Sequence, residues 1–67
     1  MNLGKIIREL RTDRDMTQTQ LAKEISTTQD TISLWELGKR YPDVINLVKL
    51  AKFFGVSTDY MLGLKEI

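Results

Sequence analysis

The chain has 67 residues, 42% hydrophobic and 28% charged, a balance that suits one small folded domain and argues against disorder. It contains neither Cys nor His, which excludes disulfides, thiolate metal sites and the commonest general base. The formal net charge of +1 decides nothing about nucleic acid, because a basic face fits inside a balanced total. No stretch approaches the roughly 20 apolar residues of a membrane span. The start, "MNLGKIIRELRTDRD", carries charges at every turn and no signal-peptide core, so the chain reads as cytoplasmic and without a membrane anchor.

Apolar spacing is helical throughout, with no run of alternation long enough for a strand. Leu3, Ile6, Ile7 and Leu10 form one face of a first helix over residues 3–14, with Asn2 as its N-cap. Lys5, Arg8, Arg11 and Arg14 follow three apart on the other side, a row that reads first as a solvated face and second as a DNA contact. After a turn at Asp15-Met16, Thr17 caps a helix over 18–25, and Gln20 completes a capping box, with Leu21, Ala22 and Ile25 inward. Ser26-Thr27 breaks the pattern, Thr28 caps a third helix over 29–37, and Gly38 is its left-handed stop. Pro42 blocks continuation and Asp43 caps a fourth helix over 44–54. Val44, Leu47, Val48, Leu50, Ala51 and Phe54 predict a broad apolar face there, closed by Gly55. Ser57 caps a last helix over 58–62, stopped at Gly63, and Tyr60, Met61, Leu64 and Ile67 either close the core or serve a dimer contact. Five short helices with connections of about 3–6 residues predict an all-α compact bundle, one domain over 1–67, with no repeat or linker.

Helices two and three are each about two turns long and joined by about three residues, a connection that suits a helix-turn-helix better than an antiparallel pair. In that arrangement the second helix projects into the DNA major groove. The stretch "STTQDTISLWELGKRYPD" fits it: Ile32 and Trp35 anchor the helix inward, while Gln29, Asp30, Ser33 and Leu34 point outward as a reading face. Ionised Asp30 cannot donate to a purine acceptor, so cytosine N4 is its natural partner, and Leu34 suits a thymine methyl. An ordinary solvated helix face is the plainer reading of the same residues.

"MTQ..LA", "T.DTIS.WE.GKR.P", "L.KLAK..GVS" and the closing "Y.LG" together resemble the Xre family, the helix-turn-helix of phage Cro and lambda-type repressors. The resemblance runs from about Leu3 to Gly63 and implies a lambda repressor-like DNA-binding fold. It implies that Gln18 bonds a phosphate and braces the first reading residue, and that Gln29 reads adenine through N6 and N7. It places Thr28, Thr31, Lys39 and Arg40 on the sugar-phosphate backbone and pairs Arg11 with Glu36. Lys39 and Arg40 also suit the end of a helix as cations near its dipole. Asp15 and Ser26 stand where the family usually has Gly, at sites that often take a left-handed backbone, and Thr27 stands where it often has an apolar residue.

These residues lead to a sequence-specific regulator of double-stranded DNA, a repressor occupying an inverted-repeat operator as a homodimer. A lone module of this size reads only a few base pairs, which favours two-fold pairing, with Met61, Leu64 and Ile67 as the candidate contact. The alternative is a protein-interaction module of the same fold, such as an antitoxin-like subunit. An enzyme is disfavoured, since no residue set meets the requirements of an active site, and no cofactor, metal or small-molecule substrate is expected. Because the chain stops soon after the last helix, a separate oligomerisation domain is an expectation for a longer protein.

Overall fold

Four of the five helices begin where the sequence supplies a side-chain oxygen three residues ahead of an unpaired N–H. In the computed structural model, which describes residues 2–65, they are α1 (Leu3–Asp13), α2 (Gln18–Glu24), α3 (Gln29–Glu36), α4 (Val44–Phe54) and α5 (Thr58–Met61). Thr17 and Gln20 exchange both bonds of a capping box at α2. Thr28, Asp43 and Ser57 cap α3, α4 and α5 by accepting from the backbone N–H of Thr31, Asn46 and Tyr60. Asn2 occupies the N-cap position of α1 but makes no side-chain cap bond, so that expectation fails.

All five helices stop in the same way. One residue turns left-handed, its N–H bonds back three residues, and the next N–H bonds back five, the Schellman pattern that satisfies the last carbonyls. The turning residues are Asp15 (φ 55°), Ser26 (φ 60°), Gly38, Gly55 and Gly63. The two departures from a family glycine therefore do adopt the conformation that glycine takes most cheaply.

The core gathers Leu3 and Ile7 of α1, Leu21 and Ala22 of α2, Ile32 and Trp35 of α3, Leu50, Ala51 and Phe54 of α4, and Met61 of α5, together with Ile25. Each helix contributes one narrow apolar stripe, so no element is buried on both faces. On α4 the predicted face is too broad. Leu50, Ala51 and Phe54 are buried and Leu47 packs against them, but Val44 is 76% and Val48 36% exposed. No described element covers the first turn of α4, and periodicity marks a face without showing what lies opposite it.

α1 and α3 approach more closely than side chains allow. A Cβ at Gly4 would overlap the carbonyl oxygen of Trp35 and lie 2.8 Å from that of Glu36. Backbone therefore meets backbone at Gly4, which brings Arg11, two turns further along α1, over the end of α3.

Candidate nucleic-acid interface

Turning left-handed at Ser26, the chain leaves α2 and hands Thr27 N–H to Ala22 O at 2.8 Å before α3 starts at Gln29. Ile32 and Trp35 plug α3 into the core, as expected. Gln29 and Asp30 are exposed, and Ser33 and Leu34 are half-buried beside them. All four share one side of the helix, because positions i, i+1, i+4 and i+5 of an α-helix do. Asp30 also sits in the first turn, where a carboxylate is favoured by the helix dipole.

Gln29 is not free. Its Nε2 donates to Gln18 Oε1 at 2.6 Å, and Gln18 Nε2 donates to Glu36 Oε1 at 3.1 Å. Arg11 grips the same carboxylate with a fork, Nε to Oε2 at 2.7 Å and Nη2 to Oε1 at 3.0 Å, and its Nη1 donates to Met16 O at 2.7 Å. Arg8 Nε lies 3.5 Å from Oε1. The Glu36 side chain is 1% exposed and that of Arg11 14%, so this is a largely buried pair whose polar atoms are satisfied. Burial pushes the Glu36 carboxyl up, but hydrogen bonds from Arg11, Gln18 and Arg8, with the Arg11 charge, outweigh it and hold the group below the ordinary glutamate range. Hydrogen bonding to Glu36 outweighs burial at Arg11 and raises its pKa above the usual arginine value. The predicted brace of Gln29 and the pair of Arg11 with Glu36 thus form one chain from α1 through α3 and α2 back to α3.

The candidate phosphate contacts lie around this chain. The hydroxyls of Thr28 and Thr31 bond each other at 2.8 Å, which uses one proton and leaves the other to donate outward. Lys39 and Arg40 are exposed just past the end of α3, and both their N–H groups point back to Leu34 O. Gln18 keeps a second amide N–H beyond the one given to Glu36.

In the basic row of α1, Lys5, Arg8 and Arg14 are exposed, as the plainer reading expects, but three of the four cations also make contacts within the fold. Only Lys5 pairs locally, with exposed Glu9 at 4.0 Å. Arg8 and Arg11 turn to Glu36, and Arg14 donates to the carbonyls of Phe53 and Phe54 at 3.0 Å while lying over both rings. Arg14 therefore ties the end of α1 to the end of α4, a role with no local sequence signal. Gly4 had one, a glycine within an apolar stripe. Of the candidate dimer residues, Met61 is fully buried and cannot meet a partner, Leu64 is 71% exposed, and Ile67 lies outside the described residues. Exposed apolar side chains collect instead at Leu37, Tyr41, Val44 and Ile45, between the end of α3 and the first turn of α4.

A helix-turn-helix family model matches residues 7–61, from the core of α1 to the last residue of α5. The chain belongs to the Xre helix-turn-helix family. It is 37% identical over its full length to two relatives, the HTH-type transcriptional activator BcrR of Enterococcus faecalis and the HTH-type transcriptional regulator ImmR of Bacillus subtilis (strain 168). Over 50 residues, 75% of the chain, it is 40% identical to the cryptic phage CTXphi transcriptional repressor RstR of Vibrio cholerae. The chain spans only 33%, 53% and 45% of these three relatives, so it corresponds to one part of each. The P22 c2 repressor, solved in complex with synthetic operator 9T, superposes with a TM-score of 0.90 at 31% identity, covering 97% of this chain and 98% of that one. The DNA-binding domain of the same repressor in solution gives 0.86 at 30% identity. Its five-helix Xre fold is thus shared end to end with a repressor domain.

Proposed function

We propose that this chain is a cytoplasmic, sequence-specific DNA-binding domain of a transcription regulator, which acts by occupying an operator with α3 in the major groove. One observation carries this reading: Gln29 is held out from the reading face by Gln18, which is itself held by buried Glu36. A merely solvated glutamine needs no such support, whereas a base-reading amide gains affinity from being fixed before it binds. Gln29 reads adenine, Asp30 accepts from cytosine N4, Ser33 and Leu34 complete the base contacts, and Leu34 meets a thymine methyl. Gln18, Thr28, Thr31, Lys39 and Arg40 hold the phosphates and set register without reading sequence. The domain works by occupancy rather than catalysis and takes no small-molecule substrate.

Two copies bind an inverted repeat, with half-site centres about 34–36 Å apart. The Cα extents of one copy are 27 × 23 × 19 Å, within that spacing, so two copies fit side by side on adjacent half-sites. With Met61 in the core, we place the contact at the exposed apolar turn of α4, Val44 and Ile45, beside the end of the reading helix. Repression by occupancy is the proposed outcome; the relative RstR is a transcriptional repressor. Selection of bound duplexes from a random pool tests the reading: an inverted repeat among the winners supports it. Weak, salt-sensitive retention of all sequences alike would point to a protein-interaction module of antitoxin type.

A further inference from the structure

We propose that Glu36 is a specificity-positioning residue: through Gln18 it fixes which end of the Gln29 amide faces the base, and so favours adenine over guanine. This rests on Gln29 reading the base edge, as set out under the proposed function. Glu36 is held ionised by the Arg11 fork, and an ionised carboxylate only accepts hydrogen bonds. Gln18 must therefore turn its NH2 toward Glu36, as it does at 3.1 Å. That leaves Gln18 Oε1 facing Gln29, which must answer with its own NH2, as it does at 2.6 Å. Rotating either amide by half a turn would set oxygen against oxygen or N–H against N–H.

The polarity of the whole relay is thus dictated by the one group that cannot donate. Gln29 is left with Oε1 and one N–H to show the groove. Adenine presents an acceptor at N7 and a donor at N6, which match that pair. Guanine presents acceptors at both N7 and O6, and the locked Oε1 would oppose O6. An unlocked amide would rotate and offer guanine a single donor, so removing the lock should cost discrimination more than affinity. Among the hydrogen bonds of the described residues, neither Asp30 nor Ser33 has a comparable side-chain brace.

The test measures affinity for two operator duplexes that differ only at the base pair read by Gln29, one with adenine and one with guanine, and for a scrambled duplex. The proteins are wild type, Gln29→Ala, Gln18→Ala, and the double variant Arg11→Met with Glu36→Leu. The double variant removes the carboxylate without stranding a buried guanidinium, and apolar replacement of a buried pair is often neutral for folding. Gln18→Ala leaves the pair of Arg11 with Glu36 in place. Wild type should prefer adenine by about tenfold or more. The double variant should narrow that ratio by about tenfold with binding to the scrambled duplex unchanged, and Gln18→Ala should narrow it by the same factor while its lost phosphate contact lowers all three affinities. A purely structural role would lower all three affinities together and leave the ratio intact. If Gln29→Ala removes the preference while the other variants keep it, the relay is wrong and the base contact stands. If Gln29→Ala leaves the preference for adenine unchanged, the base contact itself is wrong, and the relay falls with it.

Discussion

Replacing Arg11 by Ala takes two charge-assisted hydrogen bonds from Glu36 and leaves a carboxylate whose side chain is 1% exposed. Gln18 at 3.1 Å and Arg8 at 3.5 Å remain, but the Arg8 side chain is 54% exposed and screened by water. Breaking a fully buried pair costs about 3–5 kcal/mol and an exposed one about 0–1 kcal/mol. Arg11 is 14% exposed and Arg8 can move in, so a loss of about 2–4 kcal/mol is expected. For a domain of this size that is a fall in melting temperature of roughly 10–30 °C. The effect depends on pH in a definite direction. Because Glu36 titrates below its ordinary value when folded, its pairing stabilises fully above the unfolded pKa of about 4.3 and is lost as pH falls through the lower folded one. The gap between wild type and Arg11→Ala should be widest near neutral pH and close in acid. Circular-dichroism melts of Arg11→Ala and Glu36→Ala from neutral pH downward provide the check. Melting indistinguishable from wild type in both variants would mean that the buried pair does not hold α1 to α3.

Gly4→Ala should destabilise by about 1–2 kcal/mol or more even after the gain of about 1 kcal/mol in helix preference, because the new Cβ meets backbone that cannot step aside. Unchanged stability in a urea titration would contradict the close approach. Ser26→Gly should stabilise by about 0.5–1 kcal/mol by relieving a left-handed serine at φ 60°, and a lower melting temperature would show that Ser26 has a role in the turn beyond its backbone. Ile45→Glu, at a side chain 68% exposed, should leave the melt unchanged but reduce footprinting to independent half-sites. Protection of both half-sites at the wild-type concentration would place the dimer contact elsewhere.

Where a structural choice is local, it was legible in the residues, apart from the side-chain cap that Asn2 does not make. Thr17, Thr28, Asp43 and Ser57 each cap within three residues of themselves, and four of the five predicted helices run one residue past the observed end while the other matches. Ile32 and Trp35 fell inward because α3 has room for only one thin stripe. What spacing could not reveal was the partner. Val44 and Val48 share the periodicity of the α4 core face, yet no described element lies over the first turn. Arg14 sits 39 and 40 residues from the carbonyls it caps, and Arg8 reaches Glu36 from a different helix. Resemblance to the Xre family supplied the brace between Gln18 and Gln29, but the bond from Gln18 to Glu36, which sets the direction of that brace, emerged only in three dimensions.

The placement of α3 in the groove is tested most directly by comparing Gln29→Ala with Lys39→Ala on operator and scrambled duplex at three salt concentrations. A base edge differs at every step along the DNA, while a phosphate is the same everywhere, so the two losses should separate. Gln29→Ala should cost about 1–3 kcal/mol on the operator and little on the scrambled duplex. Lys39→Ala should weaken both alike and flatten the log–log salt dependence by about one unit per protomer, as one fewer counterion is released. Equal weakening of both duplexes by Gln29→Ala, or an effect of Lys39→Ala confined to the operator, would contradict α3 as the reading helix.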